Sequence, residues 1–210
     1  MFRSSYQSGL LTVLHSLGSK PLALWSAHAK GAEDHVKRLT DDELNSLVLE
    51  LSGTGVRSTR ISVPAQPART LGVKLPILVL VVKNLHRHFA FEVEVLDDGG
   101  ARRRFRASAS ARTTRVCPFS CSMPLKLDPG WNQVQFNLAD FTRRAYGTNY
   151  VETRRLTLFA NCRLRRVYFA DRLYPEEELP GEYRLFAPTR AVRAPPKRPA
   201  QVVASPAAAR

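Results

Sequence analysis

Between Phe89 and Val95 the chain alternates without a break. Phe89, Phe91, Val93 and Val95 are apolar, and Ala90, Glu92 and Glu94 stand between them. A period of two is the signature of a strand with one face buried. Asp97-Asp98-Gly99-Gly100 follows, and these residue types tolerate the backbone twist of a tight hairpin turn. Arg102 to Ala107 is then the return strand, with Phe105 pointing inward and Arg102, Arg104 and Arg106 sharing the opposite face. A chain that commits its middle to such a hairpin must supply further strands to bury the apolar side.

The rest of the body supplies them. Leu75 to Val82 is a continuous apolar run, fit for a central strand covered on both faces. Trp131 to Leu138 alternates again, with Val134, Phe136 and Leu138 on one side. Leu156, Leu158, Ala160, Cys162 and Leu164 form another inward row, which leaves Thr157, Phe159, Asn161, Arg163 and Arg165 facing out. Val167 to Phe169 begins a further short strand, and Arg166 falls between inward rows as a structural residue. Leu44 to Leu51 and Ser58 to Val63 are two more strands about the turn Gly53-Thr54-Gly55. Asp140 can cap a short helix through Tyr146, stopped by Gly147, and Glu176 to Leu179 suggests a second helical turn. The expectation is an all-β chain: a single β-sandwich or jelly-roll-like domain over residues 1–187 with one or two short helices.

After residue 187 the character changes. Residues 188–210 hold five prolines, many alanines, five basic residues and no acid. This stretch reads as a disordered basic Pro/Ala tail. The whole chain carries 32 Lys plus Arg against 18 Asp plus Glu, a formal net charge of +14, so most of the excess belongs to the body. Of those cations 25 are Arg, whose planar fork suits carboxylate and phosphate. Nucleic acid, an acidic membrane surface and an acidic protein polymer are the partner classes this charge admits. Six Arg and no acid lie between Ala101 and Arg115, and eight Arg against Glu152 and Asp171 lie between Thr142 and Arg172. The candidate contacts are Arg102, Arg104, Arg106, Arg143, Arg144, Arg163 and Arg165. Nucleic-acid readers interleave exposed aromatics with such cations. Here only Phe159 and Tyr146 or Tyr150 are available, which argues for a protein surface.

Catalytic and metal signatures are sparse. No phosphate-binding glycine motif occurs, His86 and His88 have no third ligand nearby, and Asp97-Asp98 is explained by its turn. Cys117, Cys121 and Cys162 read as free thiols of a reducing compartment. No run approaches the about 20 apolar residues of a membrane-spanning helix, and Leu10 to Leu17 is too interrupted for a signal-peptide core. The expectation is a non-enzymatic chain with no cofactor and no membrane partner. Trp131 could serve as a sugar platform in a lectin-like domain, but its place in an alternating strand favours a core or strand-edge role.

Several runs resemble the cilia- and flagella-associated protein 20 family. They include Arg102-Arg103-Arg104-Phe105-Arg106-Ala107-Ser108, Gly130-Trp131-Asn132-Gln133 and Gln135-Phe136-Asn137-Leu138. The long stretch Asp140-Phe141-Thr142-Arg143-Arg144-Ala145-Tyr146-Gly147-Thr148-Asn149-Tyr150 joins them, with Arg165-Arg166-Val167-Tyr168-Phe169. The similarity covers about residues 1–187; the Pro/Ala tail departs from it. The resemblance implies a β-sandwich of jelly-roll type and a non-enzymatic role at the inner junction of ciliary doublet microtubules, bridging the A- and B-tubules. The implied partners are α/β-tubulin and inner-junction neighbours including the Parkin co-regulated gene protein. The implied setting is the axoneme, with basal body, centriole and nucleus as further locations of some members. A monomer repeated along the lattice is expected, with no obligate homo-oligomer. A nuclear nucleic-acid-binding module and a lectin-like domain are the alternatives.

Overall fold

The computed structural model describes residues 1–185 together with Ala200 and Gln201. The remainder of the expected tail, 188–210, lies outside the described residues. The strands in chain order are β1 (Leu10–His15), β2 (Ser26–Ala29), β3 (His35–Asp41), β4 (Ser46–Ser52), β5 (Thr59–Val63), β6 (Ile77–Asn84) and β7 (Ala90–Asp97). They continue as β8 (Arg102–Ser108), β9 (Arg115–Cys117), β10 (Ser120–Pro124), β11 (Gly130–Asn137), β12 (Tyr150–Phe159), β13 (Cys162–Ala170) and β14 (Ala200–Gln201). Two seven-stranded sheets result. The first runs β14-β11-β6-β13-β4-β3, with β1 also paired to β13; the second runs β2-β5-β12-β7-β8-β10-β9.

The alternating hairpin is β7 and β8, in the register that sets Val93 opposite Phe105. The continuous apolar run is β6, between β11 and β13. Its two faces meet two different cores. Leu78, Leu80 and Val82 face the second sheet across the main core, whereas Ile77, Val79 and Val81 join Val48, Trp131 and Tyr168 on the outer side. Tyr174, Tyr183 and Leu185 pack onto that outer group, so the chain after β13 returns as a cover.

Four expectations are corrected in detail. Residues 167–169 start no further strand but continue β13, after a register shift between Leu164 and Arg166. The row from Leu156 to Leu164 is not one strand: the chain turns at Ala160–Asn161, and β12 lies in one sheet while β13 lies in the other. Both halves still face the shared core, because the turn preserves the parity of buried residues. The acidic run Glu176–Glu178 forms a turn, and the short helical turn falls later, at Gly181–Tyr183.

The helix α1 spans Leu138–Tyr146. Asn137, not Asp140, caps it: the Asn137 side chain accepts from the Asp140 amide at 3.0 Å. Gly147, with φ 69°, ends it in the left-handed conformation that glycine adopts most easily. Cys117 is exposed, Cys121 and Cys162 are buried, and all three are unpaired.

Phe136 sits at the centre of the main core. Its ring stacks on Phe141 at 4.2 Å and meets Phe91 at 5.5 Å and Phe105 at 6.2 Å. Phe136 thus ties β11, α1, β7 and β8 together. Truncation there leaves a cavity that three other rings cannot close. Phe136→Ala is expected to cost about 3–5 kcal/mol of folding free energy, measured by urea unfolding.

Candidate partner-binding face

The seven candidate arginines divide between the two sheets. Arg102, Arg104 and Arg106 stand on β8, on the outer face of the second sheet; Arg163 and Arg165 stand on β13, on the outer face of the first; Arg143 and Arg144 close α1. The structure therefore makes two arginine surfaces rather than one.

On the second sheet the hairpin register places Glu94 opposite Arg104 and Glu92 opposite Arg106. Arg104 lies 3.1 Å from Glu92 and 3.8 Å from Glu94. Arg106 is half-buried, 3.8 Å from Glu92, with its guanidinium 4.9 Å from the Phe159 ring centre. Burial and then the neighbouring Arg57 lower its pKa from the ordinary arginine value. Arg102 is exposed and has no carboxylate within salt-bridge distance among the described residues.

The helix C-terminus is fixed to the same end of the sandwich. Asp98 accepts from the Asn149 amide at 2.9 Å and from its side-chain nitrogen at 2.7 Å. Asp97, wholly buried, accepts from Arg103 at 2.8 Å, the Ala101 amide at 2.7 Å and Thr148 at 2.9 Å. Both turn carboxylates are thus engaged by protein groups. The staple holds α1 beside the hairpin, so exposed Arg143 and exposed Arg144 join Arg102 at one end. Arg144 pairs with Asp140 at 3.1 Å, one helical turn away, and Arg143 has only a long 3.4 Å contact to Asn149. Exposed pairs of this kind contribute about 0–1 kcal/mol, so a partner's carboxylates can exchange for them.

Arg163 faces outward as its parity requires, but its fork is held. It donates at 2.8 Å to Glu50 and at 2.8 Å to Asp41. Asp41 has no exposed side-chain surface, and it also accepts from Lys83 at 2.8 Å and from the Trp131 indole at 3.0 Å. Arg165 is half-buried and donates to Ser46; burial and then Arg166 lower its pKa. Arg166 is 3% exposed, bonded to Thr12 at 3.1 Å and paired with Glu182 at 3.2 Å under the Tyr183 ring, which makes it structural.

The aromatic candidates are occupied too. Phe159 is 7% exposed beneath Arg106, Tyr146 lies half-buried 4.4 Å from the Arg103 guanidinium, and the Tyr150 hydroxyl donates to the Val73 carbonyl at 2.7 Å. Trp131 is 2% exposed, so it presents no platform to a sugar. His86 and His88 border an open cleft of about 530 Å³ with Thr54, Asn84, Arg87 and Asn161, and no carboxylate or thiol lines it. No cluster of three metal-ligating side chains occurs among the described residues. The sequence reading missed Arg103 and Asp97 as a buried pair and Glu92 and Glu94 as neighbours of the arginine row. The hairpin register alone would have placed those glutamates.

The described residues thus form a β-sandwich that carries arginines on the outer face of each sheet. Residues 1–187 match the CFA20 domain, and the chain belongs to that family. It is 60% identical over 188 residues to "Cilia- and flagella-associated protein 20" of Paramecium tetraurelia, covering 90% of this chain and 97% of that one. The protein of the same name from Chlamydomonas reinhardtii is also 60% identical over 188 residues, covering 90% of this chain and 98% of that one. A family 11 carbohydrate-binding module of a Clostridium thermocellum cellulase overlays with a TM-score of 0.45 at 12% identity, over 81% of this chain and 99% of that one.

The Asp41 cluster generates a stability prediction. Burial alone would raise the Asp41 pKa, but hydrogen bonds from Lys83, Trp131 and Arg163 outweigh it and hold the carboxyl well below its ordinary value of 3.8. A carboxyl depressed by folding stabilises the protein fully above its unfolded pKa, and that contribution is lost as pH falls towards the folded value. Asp41→Ala leaves Lys83 and Arg163 without their shared anion and is expected to cost about 3–5 kcal/mol. Denaturant unfolding at neutral pH measures that loss. Repeated below pH 3.8, it should find the gap between variant and parent narrowed.

Proposed function

We propose that this chain is a non-enzymatic structural protein of cilia and flagella that binds the acidic wall of doublet microtubules. In this reading it bridges the A- and B-tubules at the inner junction, against α/β-tubulin and neighbouring proteins such as the Parkin co-regulated gene protein. The observation that carries the cilium-related role is the 60% identity, over nearly the full length, to proteins named for cilia and flagella. The arrangement of cations supports the finer reading. Arg102 and Arg143 are exposed with no acid in salt-bridge range among the described residues, and Arg104 and Arg144 are exposed with exchangeable partners.

Single rim pairs are weak, so the binding strength comes from number. A row of copies on a repeating lattice raises effective concentration without any new contact. Arg106, Arg163 and Arg165, half-buried against neighbouring groups, act chiefly by bracing the sheet each stands on, Arg106 the second and Arg163 and Arg165 the first.

The test is co-sedimentation with salt-stripped doublets over a salt series. The triple variant Arg102→Glu, Arg143→Glu, Arg144→Glu is expected to bind about tenfold more weakly or worse, with its thermal unfolding unchanged. The parent protein's binding should fall steeply with added salt. Binding by the triple variant equal to the parent would defeat the assignment of this face.

A further inference from the structure

The second sheet ends at β9, which pairs with β10 on one side only. A free sheet edge is a template for another strand, and proteins usually blunt it with charge, proline or cover. The β9–β10 hairpin instead exposes two large apolar side chains: Val116 at 46% and Phe119 at 67%. Among the described residues, the edge strands β1, β2 and β3 carry no exposed large apolar side chain.

Phe119 is held in place. The Arg103 guanidinium lies 5.9 Å from its ring centre, donates to the Pro118 carbonyl, and rests on Tyr146 at 4.4 Å. The Tyr146 hydroxyl beneath is buried and has no hydrogen-bond partner among the described residues. The hairpin tip is therefore a supported knob, and an ordered side chain loses less freedom on binding.

The register then fixes what an incoming strand would meet. Val116 lies opposite Cys121, and Cys121 opposite Phe105, all on the core side. Arg115 lies opposite Ser122, and Ser122 opposite Arg106, all on the outer side. The edge thus presents an apolar contact on one face and a cation on the other. Between Gly99 and Leu127 the chain has six Arg, one Lys and no acid.

We infer that β9 is a docking edge for an extended segment of a partner protein in which acidic and apolar residues alternate. The segment adds as a further strand. Its carboxylates turn towards Arg115, and its apolar side chains pack on Val116 and Phe119. Backbone pairing supplies affinity in this mode, and the alternate side chains supply specificity. The inference goes beyond the microtubule reading, since the arginines proposed there are not part of this contact.

The experiment titrates the full chain with a labelled peptide of alternating Glu and Val. An all-Glu peptide of equal length and the alternating peptide with every second amide N-methylated serve as comparisons. The alternating peptide is expected to saturate, and to slow hydrogen exchange at those β9 amides that point away from β10. N-methylation, and the double variant Val116→Thr, Phe119→Ala, should each weaken it about tenfold or more. Both variant side chains are exposed, so the fold survives the change. Equal binding of the all-Glu peptide, an unaffected double variant, or absence of binding would each overturn the inference. The double variant keeps every arginine, so its co-sedimentation with doublets separates failure at this edge from failure of the microtubule reading.

Discussion

One buried carboxylate organises the outer side of the first sheet. Asp41 sits on β3 at the sheet's edge, yet its oxygens accept from Lys83 of β6, Trp131 of β11 and Arg163 of β13. Four strands converge on a group with no exposed side-chain surface. Such a burial is costly unless every lone pair is satisfied, and the Glu43 amide at 3.1 Å adds a further donor. The anion permits two cations and an indole to approach one another. Around it the apolar face of Ile77, Val79 and Val81 can be covered rather than left wet. β6 can therefore be apolar on both faces, and Trp131 is core for the same reason.

The same logic sorts the arginines. A guanidinium whose fork is filled by Asp41 and Glu50, as in Arg163, cannot also grip a partner without abandoning a partly buried pair. One that is itself exposed, such as Arg104 beside half-buried Glu92 or Arg144 beside Asp140, gives up little on exchange. Burial, rather than count, decides which part of the +14 net charge is available for association. Arg103 illustrates the point within a single strand. It is flanked by exposed Arg102 and Arg104, yet parity turns it inward onto Asp97, where it locks the hairpin to α1.

The alternating hairpin, the doubly buried β6 and the helix stop at Gly147 were all legible, because each rests on a local period or a single permissive residue. Edge strands were not. β2 reads Ser-Ala-His-Ala and β3 carries Lys37 and Arg38 on its exposed positions, so neither shows a hydrophobic period to detect. β1 was obscured by its register shift between Thr12 and Leu14, which breaks parity within six residues. β9 and β10 are short, and β10 pairs parallel to β8, a long-range choice that no local pattern encodes. At the candidate face, outward parity was readable for Arg163 and Arg165. Their engagement was not, since it depends on Asp41, Glu50 and Ser46, more than a hundred residues earlier.

A bridging role needs a body that transmits force between two faces without shearing. In this sandwich Phe136 links β11 of the first sheet to β7 and β8 of the second through direct ring contacts. Arg3 reaches from the N-terminus to Glu152 of β12, and Asp98 ties the hairpin to Asn149. The proposed microtubule contacts at Arg102, Arg143 and Arg144 are thereby mounted on elements tied to the core and to each other. The β9 edge hangs from a short hairpin beyond β8. Rigid cations suit a repeating lattice, where every copy must meet the same geometry, and an open edge suits a single strand that adapts to it. The two proposed contacts therefore differ in residues and in mode, and one body can serve both at once.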